Sequence, residues 1–261
     1  MPADQPGDRS GIPAGPLPDA VTIARRVRSG ERTARSVIEQ ALHRISATNG
    51  AINAFVEVRA SGALRQADDL DRRIADGEPV GRMAGVPLAV KDSLWEAGVA
   101  AANGSRALLD FVPSETAEAI ERLTGEDGIV IGRTNVPEFC YRGNCANEAF
   151  GGTLNPWDTS RTPGGSTGGG AAAVAAGMVP VALGSDGGGS LRIPASFCGL
   201  VGYKPTFGLV PRTPGWQGWY GLNHLGPLTA NVADAALVMD ILSGRADSDP
   251  ASLSLPLEAP D

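Results

Sequence analysis

Gly164-Gly165-Ser166-Thr167-Gly168-Gly169-Gly170 is answered further along the chain by Gly184-Ser185-Asp186-Gly187-Gly188-Gly189-Ser190. Glycine gives up more backbone entropy on folding than any other residue, so two such runs are costly to encode. Each carries hydroxyls, and each lets backbone N–H groups come close to another group. From 162 to 185 there is no charged residue, a length that raises a membrane span. Pro180, the glycine flanks and a hydropathy set by alanine argue against one. The pattern predicts a turn, a buried helix over 169–178 and a buried strand over 181–183. A phosphate-binding loop is excluded because Ala171 stands where that motif requires lysine.

Working outward, residues 85–93 form an apolar strand that delivers Lys91 at its end. Of the 22 basic residues, all but Lys91 and Lys204 are arginine. Arginine cannot act as a base, so a lysine retained in such a chain marks a place where a proton must leave. The apolar run before Lys91 predicts burial, which favours the neutral amine. Holding it neutral near pH 7 costs about 4 kcal/mol, a cost that belongs at functional sites.

Alternation of helices with short apolar strands indicates α/β architecture. Asp19 and Thr33 are read as caps of two early helices, the second with an apolar stripe of Val37, Ile38, Ala41, Leu42 and Ile45. Further strands are expected over 54–58, 128–132 and 200–204, and further helices over 63–76, 114–123 and 232–242. Residues 136–157 read as an irregular loop that lines a pocket. The reading gives a loose arm over 1–17, a folded domain over 18–244 and an untethered tail over 245–261.

The net charge of −7 and a pI of about 4.9 count against nucleic acid and anionic membranes as partners. Three cysteines and no secretory start point to a reducing cytoplasm. Cys140 and Cys145 read as buried small residues rather than metal ligands, and no metal or cofactor is expected.

Ser166 and Ser190 sit in the glycine turns, and a serine becomes a nucleophile only beside a base. His43, on an early charged helix, and His224, in a late loop, do not recommend themselves, whereas Lys91 fits a serine–lysine arrangement. The backbone N–H groups of Gly187, Gly188, Gly189 and Ser190 are then candidate oxyanion donors. His224 and the Trp216–Trp219 stretch are read as filling a loop, and Lys204 as a structural contact.

The two runs, extended through Gly177 and through Leu191-Arg192-Ile193-Pro194-Ala195, resemble the amidase signature. That serine hydrolase superfamily includes bacterial amidases, fatty acid amide hydrolase and the A-type component of the glutamyl-tRNA amidotransferase. The resemblance runs from the N-terminal helices through residues 85–93 and 132–139 to the helix at Val232. It implies a mixed β-sheet with helices on both faces. It also implies Ser190 as the acylating nucleophile, Ser166 as a bridging serine on a cis peptide and Lys91 as the base. Thr167, Asp186 and Arg192 support the turns, and the substrate is a small-molecule amide. Two departures stand out. Gly187 replaces a residue that usually bears a side chain, and the family's second half is expected to be missing after the last helix. An amidase is therefore the first reading, with a homo-oligomer or complementing chain supplying the remainder. The alternatives are a truncated, non-catalytic remnant or interaction subunit, or else an amidotransferase A-type subunit.

Overall fold

The computed structural model describes residues 17–216 and 218–253. The expected arm over 1–17 falls outside these residues except for Leu17, which packs partly buried against the core. Asp19 caps α1 (Ala20–Arg28) through the Thr22 N–H, and Thr33 caps α2 (Ala34–Ile52) through the Ser36 N–H, as side-chain acceptors at these positions do. There follow β1 (Phe55–Val58), α3 (Ala60–Ala75), β2 (Pro87–Lys91), α4 (Glu118–Gly125) and β3 (Ile129–Thr134). A small hairpin, β4 (Ala146–Asn147) with β5 (Gly151–Gly152), interrupts the irregular stretch. The chain then forms α5 (Gly168–Ala175), β6 (Val181–Asp186), α6 (Arg192–Cys198), β7 (Val201–Gly202), β8 (His224–Thr229) and α7 (Val232–Leu242).

Six strands build one mixed sheet in the order β1-β3-β2-β6-β8-β7. β2 runs parallel to both β3 and β6, while the outer pairings are antiparallel. Helices flank the sheet on both faces. α5 crosses one face so closely that glycine is required at its start. A Cβ on Gly169 would lie 2.4 Å from the Asn135 nitrogen, and one on Gly184, beneath the turn, 2.3 Å from Thr167 Cγ2. These two glycines serve close packing.

The structure corrects two expectations. His224, expected in a late loop, instead opens β8, which pairs with β6 from Val181–Thr229 to Asp186–His224 despite Gly226 and Pro227. The glycine is needed there, since a Cβ would fall 2.3 Å from the Tyr203 carbonyl oxygen. The tail, expected to be untethered, is held through Leu253. Asp249 is 3% exposed and accepts the Arg212 N–H at 2.8 Å, and the Leu253 N–H reaches the Gly208 carbonyl at 2.8 Å. Residues 254–261 lie outside those described.

Candidate active site

The parallel strands β2 and β6 lie side by side, with Val90 level with Leu183, and β6 runs on past the end of β2 at Lys91 to Asp186. Ligand sites in such sheets form beyond the carboxyl ends of the strands. Lys91 leaves the end of β2 fully buried. The turn before α5 brings Ser166, after a cis Gly165–Ser166 peptide, to the same point. Lys91 Nζ donates to Ser166 Oγ at 2.7 Å and to Ser185 Oγ at 2.9 Å. Burial pushes the Lys91 amine below its ordinary value of 10.5, against the opposing pull of Cys140, Cys145 and Asp186.

The second glycine turn is fixed by Asp186. Its carboxylate accepts the Gly189 N–H at 2.7 Å and the Leu191 N–H at 3.2 Å, and takes Nε and Nη2 of Arg192 at 2.9 Å each. Burial alone would raise this carboxyl, but the Arg192 fork and the backbone N–H groups outweigh it and hold it at about 2. Thr167 ties the two turns together, its N–H reaching the Ser190 carbonyl at 3.2 Å and its Oγ1 the Ser185 carbonyl at 3.2 Å. Gly189 departs from the expectation of an oxyanion donor, because its N–H is committed to Asp186. Its φ of +123°, and the Ile193 side chain 2.8 Å from where a Cβ would stand, explain the glycine instead.

Ser166, Ser185, Ser190, Gly187 and Gly188 line one cavity of about 250 Å³. The arrangement offers a buried amine, a linked hydroxyl, a second hydroxyl and glycine N–H groups around space for a small molecule. Among the described residues, no group of three or more His, Cys, Asp or Glu is placed to hold a metal ion. No helix among them is long and apolar enough to cross a membrane.

A family model described as Amidase matches residues 36–261. The chain belongs to the amidase signature family. The A-type component of the glutamyl-tRNA(Gln) amidotransferase of Chlamydia pneumoniae is 44% identical over 233 residues, covering 89% of this chain and 47% of that protein. Among solved structures, a bacterial aryl acylamidase superposes with a TM-score of 0.87 at 38% identity, over 93% of this chain and 51% of its own. A chain from a vestigial protein complex, described with the origins of an s-triazine catabolic enzyme, has the same TM-score at 40% identity, over 90% and 52%. The chain spans about half the length of the curated relatives it matches.

In this amidase signature chain the cavity also recruits residues to which the sequence assigns no role. Ser185 is visible in the second run, but nothing in the pattern shows its hydroxyl turning to Lys91. Cys140, expected to be buried, is partly exposed and lines the cavity, with Sγ 3.2 Å from Asn103 Oδ1. Trp216 and Trp219, expected to fill a loop, also line it. Trp219 lies over the glycine turn, its ring 3.3 Å from where Cβ atoms of Gly187 and Gly188 would stand. His224 does stay structural, its Nδ1 beside the Leu222 and Asp186 carbonyls. His43 is exposed, and Lys204 donates to the Pro205 carbonyl at 2.7 Å.

Proposed function

We propose that this chain cleaves a small carboxamide through an acyl-enzyme on Ser190, with Lys91 and Ser166 as the proton relay. The supporting observation is the fully buried Lys91, its amine pushed toward the neutral form and 2.7 Å from Ser166 Oγ. A neutral amine has two N–H donors and one lone pair. With Ser185 Oγ taking one N–H, the lone pair is left for the Ser166 hydroxyl proton. Ser166 then accepts the proton of Ser190 as Ser190 attacks the carbonyl carbon. Negative charge developing on the carbonyl oxygen is met by N–H groups of Gly187, Gly188 and Ser190, each donor of this kind being worth about 10²–10³ in rate. The relay returns a proton to the departing nitrogen, and water attacks the acyl-enzyme to give carboxylate.

The test is ammonia release from a panel of short carboxamides. The expected result is turnover that is lost in Ser190→Ala; unchanged release in Ser190→Ala overturns the assignment.

A second reading is favoured by kinship with amidotransferase A-type chains. In it, the ammonia passes to a partner enzyme rather than to solvent. Kinship with a chain from a protein complex also supports a complementing partner or a second copy. Native mass spectrometry of the chain isolated from its source cells distinguishes these: a stable complex with a second protein favours transfer, and a lone or self-associated chain favours hydrolysis.

A further inference from the structure

A neutral Lys91 amine presents two N–H donors and one lone pair. Ser185 Oγ takes one donor and Ser166 Oγ faces the lone pair, so the second donor needs a partner in a fully buried position, where an unmet donor is costly. The Cys140 sulfur lies within hydrogen-bonding reach of the amine. Cys140 lines the same cavity as Ser166 and Ser185.

The thiol is held in place by its surroundings. Phe139 and Cys140 stand at φ +50° and +58°, a left-handed pair without glycine, and such residues persist only where the rest of the structure fixes them. Asn103 does the fixing. Its carbonyl accepts the Phe139 N–H at 2.9 Å, and its Oδ1 accepts the Cys140 thiol at 3.2 Å. Asn103 is 5% exposed and itself left-handed, at φ +50°. The turn that carries it is tied to Asp92, the residue after the base, whose Oδ2 accepts the Gly104 N–H at 3.3 Å. A Cβ on Gly104 would lie 2.8 Å from the Val136 carbonyl oxygen, so this turn presses directly on the segment that leads to Cys140.

With its S–H given to Asn103, the Cys140 sulfur has lone pairs left to accept from another neighbour. The other titratable groups that face Lys91 are engaged elsewhere. Cys145 donates its S–H to the Asn135 carbonyl at 3.3 Å, and the Asp186 carboxylate is taken by Arg192 and the Gly189 N–H.

We propose that Cys140 and Asn103 are positioning residues for the base: the Cys140 sulfur takes the second N–H of the neutral Lys91 amine, and Asn103 holds the sulfur there. The proposal rests on the Lys91–Ser166 relay above and names what orients its amine. With both N–H groups engaged, the lone pair has one direction left, toward the Ser166 hydroxyl. Neither residue exchanges a proton in the reaction, and no bond to sulfur forms.

The scarcity of lysine supplies a test that needs no turnover. In a chain grown with isotope-labelled lysine, only Lys91 and Lys204 contribute Cε signals to an NMR titration, and Lys91→Met assigns them. An acceptor favours the ammonium, with three donors, over the amine, with two. Cys140→Ala is therefore expected to move the Lys91 midpoint to lower pH, and Cys140→Ser, which keeps a donor and an acceptor, to return it. In fluorophosphonate labelling of Ser190, Cys140→Ala is expected to react about fivefold more slowly, with Cys140→Ser restoring most of the rate. Should Cys140→Ala fail to fold, Cys140→Gly suits the left-handed backbone and removes the same thiol. A Lys91 midpoint unmoved in a folded variant that lacks the thiol, or a serine variant as slow as the alanine one, overturns the proposal. Failure of the relay itself looks different: the Lys91 midpoint still follows the thiol, but even the unmodified chain takes no label.

Discussion

Ser185 Oγ lies 2.9 Å from Lys91 Nζ, making it the second hydroxyl, after Ser166, to meet the buried amine. In the proposed relay, Ser185 orients the lone pair of Lys91 toward Ser166. Replacing it with alanine removes one hydrogen bond of ordinary strength, worth about 1 kcal/mol. Ser185→Ala is expected to lower kcat about fivefold with little change in KM; a wild-type kcat denies Ser185 a positioning role.

Lys91 gives a pH signature. Between its lowered value in the fold and the ordinary 10.5 of the unfolded chain, the unfolded state binds one more proton. Stability contributed by this group therefore rises with pH across that window, the burial cost being fully present below it. Lys91→Met removes the slope and is expected to unfold at higher urea than wild type at neutral pH. Parallel urea midpoints from about pH 7 to 10 for the two proteins would contradict the assignment.

Asp186 has the opposite sign. Held at about 2 against an ordinary 3.8, it contributes stability that is complete above 3.8 and lost as pH falls from there to 2. Because the Arg192 side chain is 54% exposed, the contribution is discounted to about 1–2 kcal/mol. Asp186→Asn is expected to lose that amount at neutral pH in denaturant titrations and to flatten the acid limb. The amide keeps one acceptor oxygen, so only one of the Gly189 and Leu191 N–H groups holds its partner, and the loosened turn is expected to slow acylation.

Close packing under the first turn is tested by a pair of substitutions. Gly184→Ala places a Cβ 2.3 Å from Thr167 Cγ2 and is expected to cost about 2–3 kcal/mol. Thr167→Ser deletes that methyl. In the double variant part of the loss returns, a coupling that a double-mutant cycle measures; strict additivity would mean the clash is relieved elsewhere.

The parts of the molecule legible in sequence are those with local signals. Asp19 and Thr33 announce their helices because a cap is decided within one turn, and β2 announces itself because five buried residues stand in a row. Lys91 as a base is legible through the near-absence of lysine elsewhere, and its convergence with Ser166 through the family resemblance that the glycine runs carry. What stays hidden depends on contacts distant in sequence. β8 contains Gly226 and Pro227, which locally deny a strand, and only its neighbours β6 and β7 make it one. The tail through Leu253 is polar by composition, and its anchorage depends on Arg212, far back in the chain. Trp219 reaches its place over Gly187 by a loop path that no periodicity encodes.

The central claim is that Lys91, Ser166 and Ser190 form a working nucleophile in this chain. Intact-mass labelling with a fluorophosphonate tests it most directly, with thermal melting run on the same samples. The account predicts one adduct on the unmodified chain, none on Ser190→Ala, and labelling slowed about 10²-fold or more in Lys91→Met and Ser166→Ala. A folded chain that takes no adduct, or one labelled equally in Ser190→Ala, would contradict it.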